Sequence, residues 1–299
     1  GKAVIFIEPD DAMRVEAEAK YIDTPINLPR FWISKADAEP LLNKLKSGEE
    51  IQINVKARMD WEEVTGKNIL AFIEGTDPDL KNETVIITAS YDSMSVIPKL
   101  SPGAEQAVGI SSLFEIARAL TINPPKRTVL FLATGGHNMA FEGIRKFVYP
   151  YTVMEEYRND DGTPNQKKID GIKDEDKRAE IQSLFERDRL GQSLKSTIAI
   201  SLDLSSQNRQ VGLFYTGRFW NLTGDVPNPT MVYSGFGRLM EKQAVNVGEV
   251  LGLTTEEYFV DTINRPQGRT WTTFMGSAVG FDAETFTMTG GTGMGFVTT

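Results

Sequence analysis

The chain has 299 residues, of which 40% are hydrophobic and 24% charged, the composition of an ordinary globular protein. Its formal net charge of -9 argues against a nucleic-acid-binding protein, because such proteins need a basic face to neutralise phosphates. There is no cysteine, which excludes disulfides, thiolate metal sites and cysteine nucleophiles. The single histidine, His137, restricts catalytic zinc chemistry, since imidazole is its usual ligand.

No apolar run reaches the roughly 18 residues that a bilayer-spanning helix needs. The sequence opens on a strand-like run over residues 2–7 and closes on another over residues 295–299. We therefore expect any membrane attachment or targeting signal to lie in segments outside this chain.

Residues 1–50 have the pattern of a small α/β unit. A strand over residues 2–7 is followed by a polar segment, a short strand at residues 31–33 and a helix. Ser34 is the predicted N-cap of that helix and Gly48 its predicted stop. From Ile51 to Ala57 apolar and polar residues alternate, which predicts a half-buried strand.

Apolar runs farther along the chain predict a larger sheet. They lie at residues 68–74, 84–89, 128–133, 197–204 and 210–214. Helices are predicted between two of them, at residues 104–120, and near the end of the chain, at residues 235–250. This order of elements, with almost wholly apolar strands, predicts an α/β fold: a mostly parallel mixed sheet flanked by helices on both faces.

Residues 150–190 are different from the rest, because turn residues and charged residues dominate them. The simplest interpretation is a solvated, charged insertion with one surface helix. A partner-binding insertion is the alternative.

Polar residues follow several of the predicted strands. Ser90, Asp92 and their neighbours follow the strand at 84–89, residues 134–138 follow the strand at 128–133, and Asp203 follows residues 197–202. A polar loop at residues 101–106 opens a helix. Since sites in open α/β sheets form at the carboxyl ends of strands, these groups predict a pocket.

These segments resemble the bridged two-zinc exopeptidases of clan MH, of the aminopeptidase Y and aminopeptidase S type, whose relatives include transferrin receptor and nicastrin. The resemblance is carried by Ile73–Thr76, Tyr91–Ser93, Ser101–Ala104, Arg127–Phe131, Ala133–Gly136, Leu202–Leu204 and Phe281–Val297. It implies a zinc-exopeptidase-like domain over residues 51–299, with the charged insertion at 150–190. Residues 1–50 resemble part of a protease-associated domain.

The resemblance also identifies positions where the family keeps its metal ligands. Ser90 stands where the family has a zinc-binding histidine, while the aspartate that orients a ligand remains as Asp92. Glu105 is the best match for the bridging aspartate. Asp203 fits a further aspartate ligand. The last histidine ligand has no counterpart here, because the only histidine is His137.

The family's two adjacent glutamates, a general base and a zinc ligand, are replaced by His137 and Asn138. Because other residues stand at these ligand and general-base positions, the resemblance implies no catalytic residue and no bound zinc. A single ion held by Glu105, Asp203 and His137 is the residual possibility for a metal. For His137 itself we expect a hydrogen-bonded pocket histidine.

The expected function is therefore that of a catalytically inactive exopeptidase homologue, serving as a binding or structural subunit with a protein partner or in self-assembly. The alternative is an active metallo-aminopeptidase with zinc in an atypical site. The family further implies an extracytoplasmic protein: secreted, periplasmic or membrane-anchored. Triplets at Asn82 and Asn221 fit N-glycosylation sequons, although such triplets are common by chance.

Overall fold

A computed structural model describes residues 3–7, 29–56, 63–93, 103–188, 190–194, 197–206, 208–219, 229–264 and 279–298. The chain divides into two units, residues 1–65 with 94–102 and residues 66–93 with 103–299. The assignment of residues 1–50 to a protease-associated domain stays a prediction.

The first unit contains a pair of parallel strands and one helix. Strand β1 (Val4–Ile7) pairs with β2 (Arg30–Ile33), and helix α1 (Lys35–Lys46) follows. Ser34 caps this helix as predicted, because its Oγ accepts a hydrogen bond from the Asp37 amide at 3.1 Å. Gly48 ends the helical region with a φ of 84°, a conformation that favours glycine.

The strand predicted from Ile51 onward is wrong for the residues that the structure describes. Residues 51–56 have no regular secondary structure, and Ile53 and Val55 are exposed. Ala57 lies outside the described residues. Alternating apolar residues form a strand only where a neighbouring strand supplies hydrogen bonds and a covered face, and the structure assigns residues 51–56 to no strand pair.

The second unit is built on one sheet, which has seven strands among the described residues. They are β3 (Ile69–Ile73), β4 (Thr84–Ser90), β5 (Thr128–Thr134), β6 (Ile198–Asp203), β7 (Val211–Phe214), β8 (Phe259–Asp261) and β9 (Thr292–Thr298). Their spatial order is β3-β5-β4-β6-β9-β7-β8. The pairs β3–β5 and β7–β9 are antiparallel and the other four are parallel, which confirms the predicted mixed, mostly parallel sheet.

Helices cover the sheet. They are α2 (Gly103–Ile122), α3 (Glu142–Glu155), α4 (Gln166–Asp170), α5 (Glu175–Glu186), α6 (Pro229–Leu251) and α7 (Glu284–Met288), with a short 3-10 helix at Thr255–Glu257. Within the described ranges, none of the helices combines the length and the apolarity needed to cross a bilayer.

Successive residues of the central strands belong to two different cores. Ile87 and Phe131 pack in one cluster with Leu113 of α2. Ile86 and Leu130 belong to another cluster, which also contains residues of α3 and α7. Because side chains alternate along a strand, this arrangement explains why the strands read as continuous apolar runs in the sequence.

The charged segment after α3 is anchored more firmly than predicted. It forms two helices, α4 and α5, rather than one, and each buries an isoleucine, Ile169 and Ile181. Arg158 is buried beside Asp188 at an N–O distance of 2.5 Å. The prediction of a single helix in this segment is therefore wrong. Most of the charges of the segment face water, but its apolar and ionic anchors do not.

Candidate functional site

The carboxyl ends of the three central strands meet at one edge of the sheet. Ser90 of β4 is in register with Thr134 of β5, and Thr88 is in register with Ser201 of β6. Asp203 lies two residues beyond Ser201, at the same edge. The predicted convergence of Ser90, Asp203 and the loop after β5 is therefore present.

Asp92 ties two of these strand ends together. Its Oδ2 accepts a hydrogen bond from the Gly136 amide at 2.5 Å. Gly136 has a φ of 71°, so the turn that presents this amide favours glycine. The other oxygen, Oδ1, is buried and has no hydrogen-bond partner among the described residues. Asp92 thus holds the turn that precedes His137.

His137 faces the interior of the protein. Its side chain is 7% exposed, and its Nδ1 lies 2.8 Å from Oδ1 of Asp282, whose side chain is 3% exposed. The other oxygen of Asp282 accepts a hydrogen bond from the Thr134 hydroxyl at 2.5 Å and a longer one from Thr88. Buried polar groups are stable only when they are paired in this way.

Sequence reasoning did not identify Asp282 as a site residue. It lies 145 positions from His137, and the resemblance marked it only as part of a matching pattern. The stretch Phe281–Phe286 carries two acidic residues, Asp282 and Glu284, among apolar residues and a threonine, and no local feature of the sequence indicates what either of them contacts.

The remaining predicted site residues lie at three separate places in the second unit. Asn138 is half-buried in the turn after His137, and Asp203 is half-buried at the end of β6. Glu105 lies in the first turn of α2, with its side chain outside the described part of the structure. Within the described ranges, no three His, Asp or Glu side chains are grouped to hold a metal ion.

A second buried carboxylate, Glu284, was also missed. It begins α7, is 1% exposed, and accepts hydrogen bonds from the amides of Phe219 at 3.0 Å and Phe281 at 3.2 Å. Burial raises the pKa of Glu284 to about 7, although those amides, the Gly217 amide and the Arg218 charge act in the opposite direction. Glu284 therefore holds the segment 217–219 against α7.

A strained turn links these groups to the surface. Ala140 and Phe141 have φ values of 53° and 59°, in the left-handed region that such residues rarely adopt. The Phe141 ring contacts His137 edge-on at a centroid distance of 4.8 Å and Phe219 at 5.3 Å. His137 is thus a packing partner for an aromatic side chain as well as a hydrogen-bond partner of Asp282.

Comparison with known proteins gives one family match. Residues 68–198 match the sequence profile of peptidase family M28. Over 103 residues the chain is 34% identical to the BOS complex subunit NCLN of Gallus gallus, an alignment that covers 31% of this chain and 17% of that protein.

Among solved structures, the aminopeptidase from Aneurinibacillus sp. strain AM-1 aligns with 99% of this chain at 13% identity and a TM-score of 0.40. The alignment covers 60% of the bacterial chain, so this chain spans less than two thirds of both proteins. On the family match and the sequence identity, residues 68–198 of this chain are related to peptidase family M28.

Proposed function

We propose that the chain is a catalytically inactive relative of the zinc exopeptidases and acts as a binding or structural subunit of a protein complex. The observation that carries the proposal is the burial of His137 against Asp282. His137 occupies the position that the family resemblance gives to the general base. A general base must come within hydrogen-bond reach of a substrate or an activated water, and an imidazole that is 7% exposed is packed away from both.

The residues at the family's metal-ligand positions support the same proposal. Ser90 and Asn138 offer neutral oxygens where two zinc ions need anionic ligands and a bridging carboxylate. Asp92 already accepts a hydrogen bond from Gly136. The described residues do not fit a two-zinc centre, and we propose no catalytic step that depends on one.

Membership of a complex is supported by the 34% identity to a protein named as a subunit of the BOS complex. The identity covers a third of this chain or less, and it does not identify the partner. We therefore propose a non-catalytic subunit with a protein partner. The chemistry of that partner is inferred below from the surface of this chain.

Metal content and activity test the proposal together. We expect the purified protein to contain far less than one zinc per chain and to release no N-terminal residues from peptides, with or without added zinc. Elemental analysis and a peptide-library assay measure these quantities, and an active zinc aminopeptidase treated in parallel serves as the control. Two tightly bound zinc ions per chain, or cleavage that a chelator abolishes, would favour the atypical metallo-aminopeptidase instead.

We also propose an extracytoplasmic location, which the family resemblance supports. Asn82 of the triplet Asn82-Glu83-Thr84 is exposed, immediately before β4, whereas Asn221 lies outside the described residues. In a eukaryotic host we expect the protein to carry a glycan at Asn82. Endoglycosidase treatment should lower its mass, and the Asn82→Gln variant should lose that glycan. An unmodified Asn82 in a protein that fractionates with the cytosol would refute this location.

A further inference from the structure

A cavity of about 610 Å³ lies between α3 and the region of α7. Phe141 and Val148, both nearly fully buried, contribute to its floor, and Phe219 and Met288 line it beside them. The volume is within the range of cavities that bind small molecules, roughly 300–1,000 Å³. The described residues that line the cavity do not include Ser90, Asp92, His137 or Asn138. The cavity is therefore separate from the positions that the family resemblance gives to catalysis and metal binding.

The rim of this cavity carries an excess of positive charge. Arg145 and Lys146 line it and share one carboxylate, that of Glu142, at N–O distances of 2.5 Å and 3.7 Å. Two cations on one acid leave a local net positive charge, on a chain whose overall formal charge is -9. The side chains of Arg145 and Lys146 are 54% and 75% exposed, so both are accessible to an anionic group.

The floor of the cavity is held in place by the strained turn. Phe141 adopts a left-handed conformation and is packed between the rings of His137 and Phe219. Gly280 lies so close that an added Cβ would come within 2.6 Å of the Phe141 ring. Glu284 holds the Phe219 backbone through a hydrogen bond of 3.0 Å. Such pre-organisation lowers the entropy cost of binding.

Large apolar side chains remain exposed at the cavity. Tyr149 is 65% exposed and Met288 is 41% exposed, and both line it, while Met139 just before the strained turn is 71% exposed. Exposed apolar residues that surround a cavity indicate a contact surface more often than scattered single ones do. Methionine is adaptable and is common at surfaces that bind peptide segments.

We propose that this cavity receives a short segment of a partner protein in which a bulky apolar side chain is flanked by acidic residues. The inference rests on the proposed function, because it assigns the subunit's partner contact to this site. The apolar side chain would fill the space against Phe141 and Met288. The acidic residues would pair with Arg145 and Lys146, a geometry that guanidinium groups favour for carboxylates.

A binding assay with defined peptides tests this proposal. The probe is a short fluorescein-labelled peptide with one central phenylalanine between glutamates, and fluorescence anisotropy measures its dissociation constant. We expect saturable binding that weakens at least about tenfold, equal to 1.4 kcal/mol, when the glutamates are replaced by lysines or the phenylalanine by alanine. Protein variants Arg145→Glu/Lys146→Glu and Met288→Glu should each weaken binding to a similar degree.

The matched control is Lys173→Glu/Lys177→Glu, which changes the net charge by the same amount at exposed positions near and within α5. Its affinity for the acidic peptide should be unchanged, and thermal melting should show that all variants fold. Equal binding of the acidic and basic peptides, or equal loss in the control, would overturn the proposal. Binding to anionic phosphatidylglycerol vesicles that the cavity variants abolish, without peptide binding, would assign the site to a membrane surface and overturn it too.

The same samples separate this proposal from the proposed function. Mass spectrometry of the peptide after incubation reports cleavage. A cleaved peptide would contradict the inactive-subunit proposal, whereas an intact but unbound peptide would contradict only the cavity proposal.

Discussion

Replacement of Arg158 by methionine is expected to lower the free energy of unfolding by about 3–5 kcal/mol. The Arg158 side chain is 3% exposed, and its guanidinium lies 2.5 Å from the carboxylate of Asp188, which is 6% exposed. Removal of the cation would leave the Asp188 charge buried without its partner, which is the costly way to break a buried ion pair.

The contacts of Arg158 explain why the effect should exceed the loss of one ion pair. The guanidinium also donates to the Gly162 carbonyl at 2.5 Å and lies over the Phe185 ring at 5.1 Å. Asp188 in turn accepts hydrogen bonds from the Leu190 and Gly191 amides. One side chain therefore joins the turn after α3, helix α5 and the chain that leads into β6.

Urea unfolding gives the free energy, and hydrogen exchange of residues 155–194 shows where protection is lost. Arg118→Met is the matched control, because its ion pair with Glu115 is 67% exposed on both sides and should contribute nothing measurable. The double variant Arg158→Met/Asp188→Asn should lose less than the sum of its single variants. A loss below about 1 kcal/mol for Arg158→Met would show that the segment is loosely attached.

This anchored segment also marks where sequence reasoning stopped. The buried strands β4 and β5 were predictable because a strand covered on both faces reads as a continuous apolar run. The start of α1 was predictable because an N-cap is a local contact between Ser34 and Asp37. In residues 156–194, by contrast, the many charged residues predicted a segment exposed to water. Contacts between residues far apart in the sequence, such as Arg158 and Asp188, nevertheless anchor it to the fold.

The candidate site divides in the same way. The position of Ser90, Asp92 and Asp203 at one sheet edge followed from strand order alone, since parallel strands end together. The contact of His137 with Asp282 did not follow, because 145 residues separate the two and nothing local indicates their pairing. Glu284 gave no signal either, since its burial is created by α7 and the distant segment 217–219.

Glu284 is expected to make the stability of the protein fall as the pH rises from about 4.5 to about 7. Burial raises the pKa of its carboxyl from the ordinary value of 4.5 to about 7 in the folded protein. Between these values the folded protein holds a proton that the unfolded chain has released, so raising the pH favours unfolding. The shift corresponds to about 3 kcal/mol, fully lost only above pH 7.

The Glu284→Gln variant should abolish this contribution, because its amide does not titrate. The free energy of unfolding of the natural protein relative to this variant, measured by urea unfolding, should therefore fall by about 3 kcal/mol between pH 4.5 and pH 8. Comparing this relative free energy at the two pH values removes any pH-independent cost of placing an amide near the Phe219 and Phe281 amides. It also removes most of the contribution of the other titrating groups, which both proteins share.

Glu257→Gln provides a control of opposite sign. Hydrogen bonds from the Thr254 amide and hydroxyl lower the pKa of Glu257 in its capping box, so its contribution to stability is lost as the pH falls. If Glu284→Gln shows the same pH profile as the natural protein, the pKa of the carboxyl is the same in the folded and unfolded chain, and the carboxyl is ionised well above its ordinary pKa of 4.5. The segment 217–219 would then be held by a charged carboxylate across neutral pH, and the affinity of the cavity for the acidic peptide should not change over that range.

If the profiles differ as expected, loss of the proton above pH 7 places a negative charge on Glu284, next to the segment that carries Phe219. Affinity for the acidic peptide should then decline over the same pH range, because a buried negative charge opposes an approaching carboxylate.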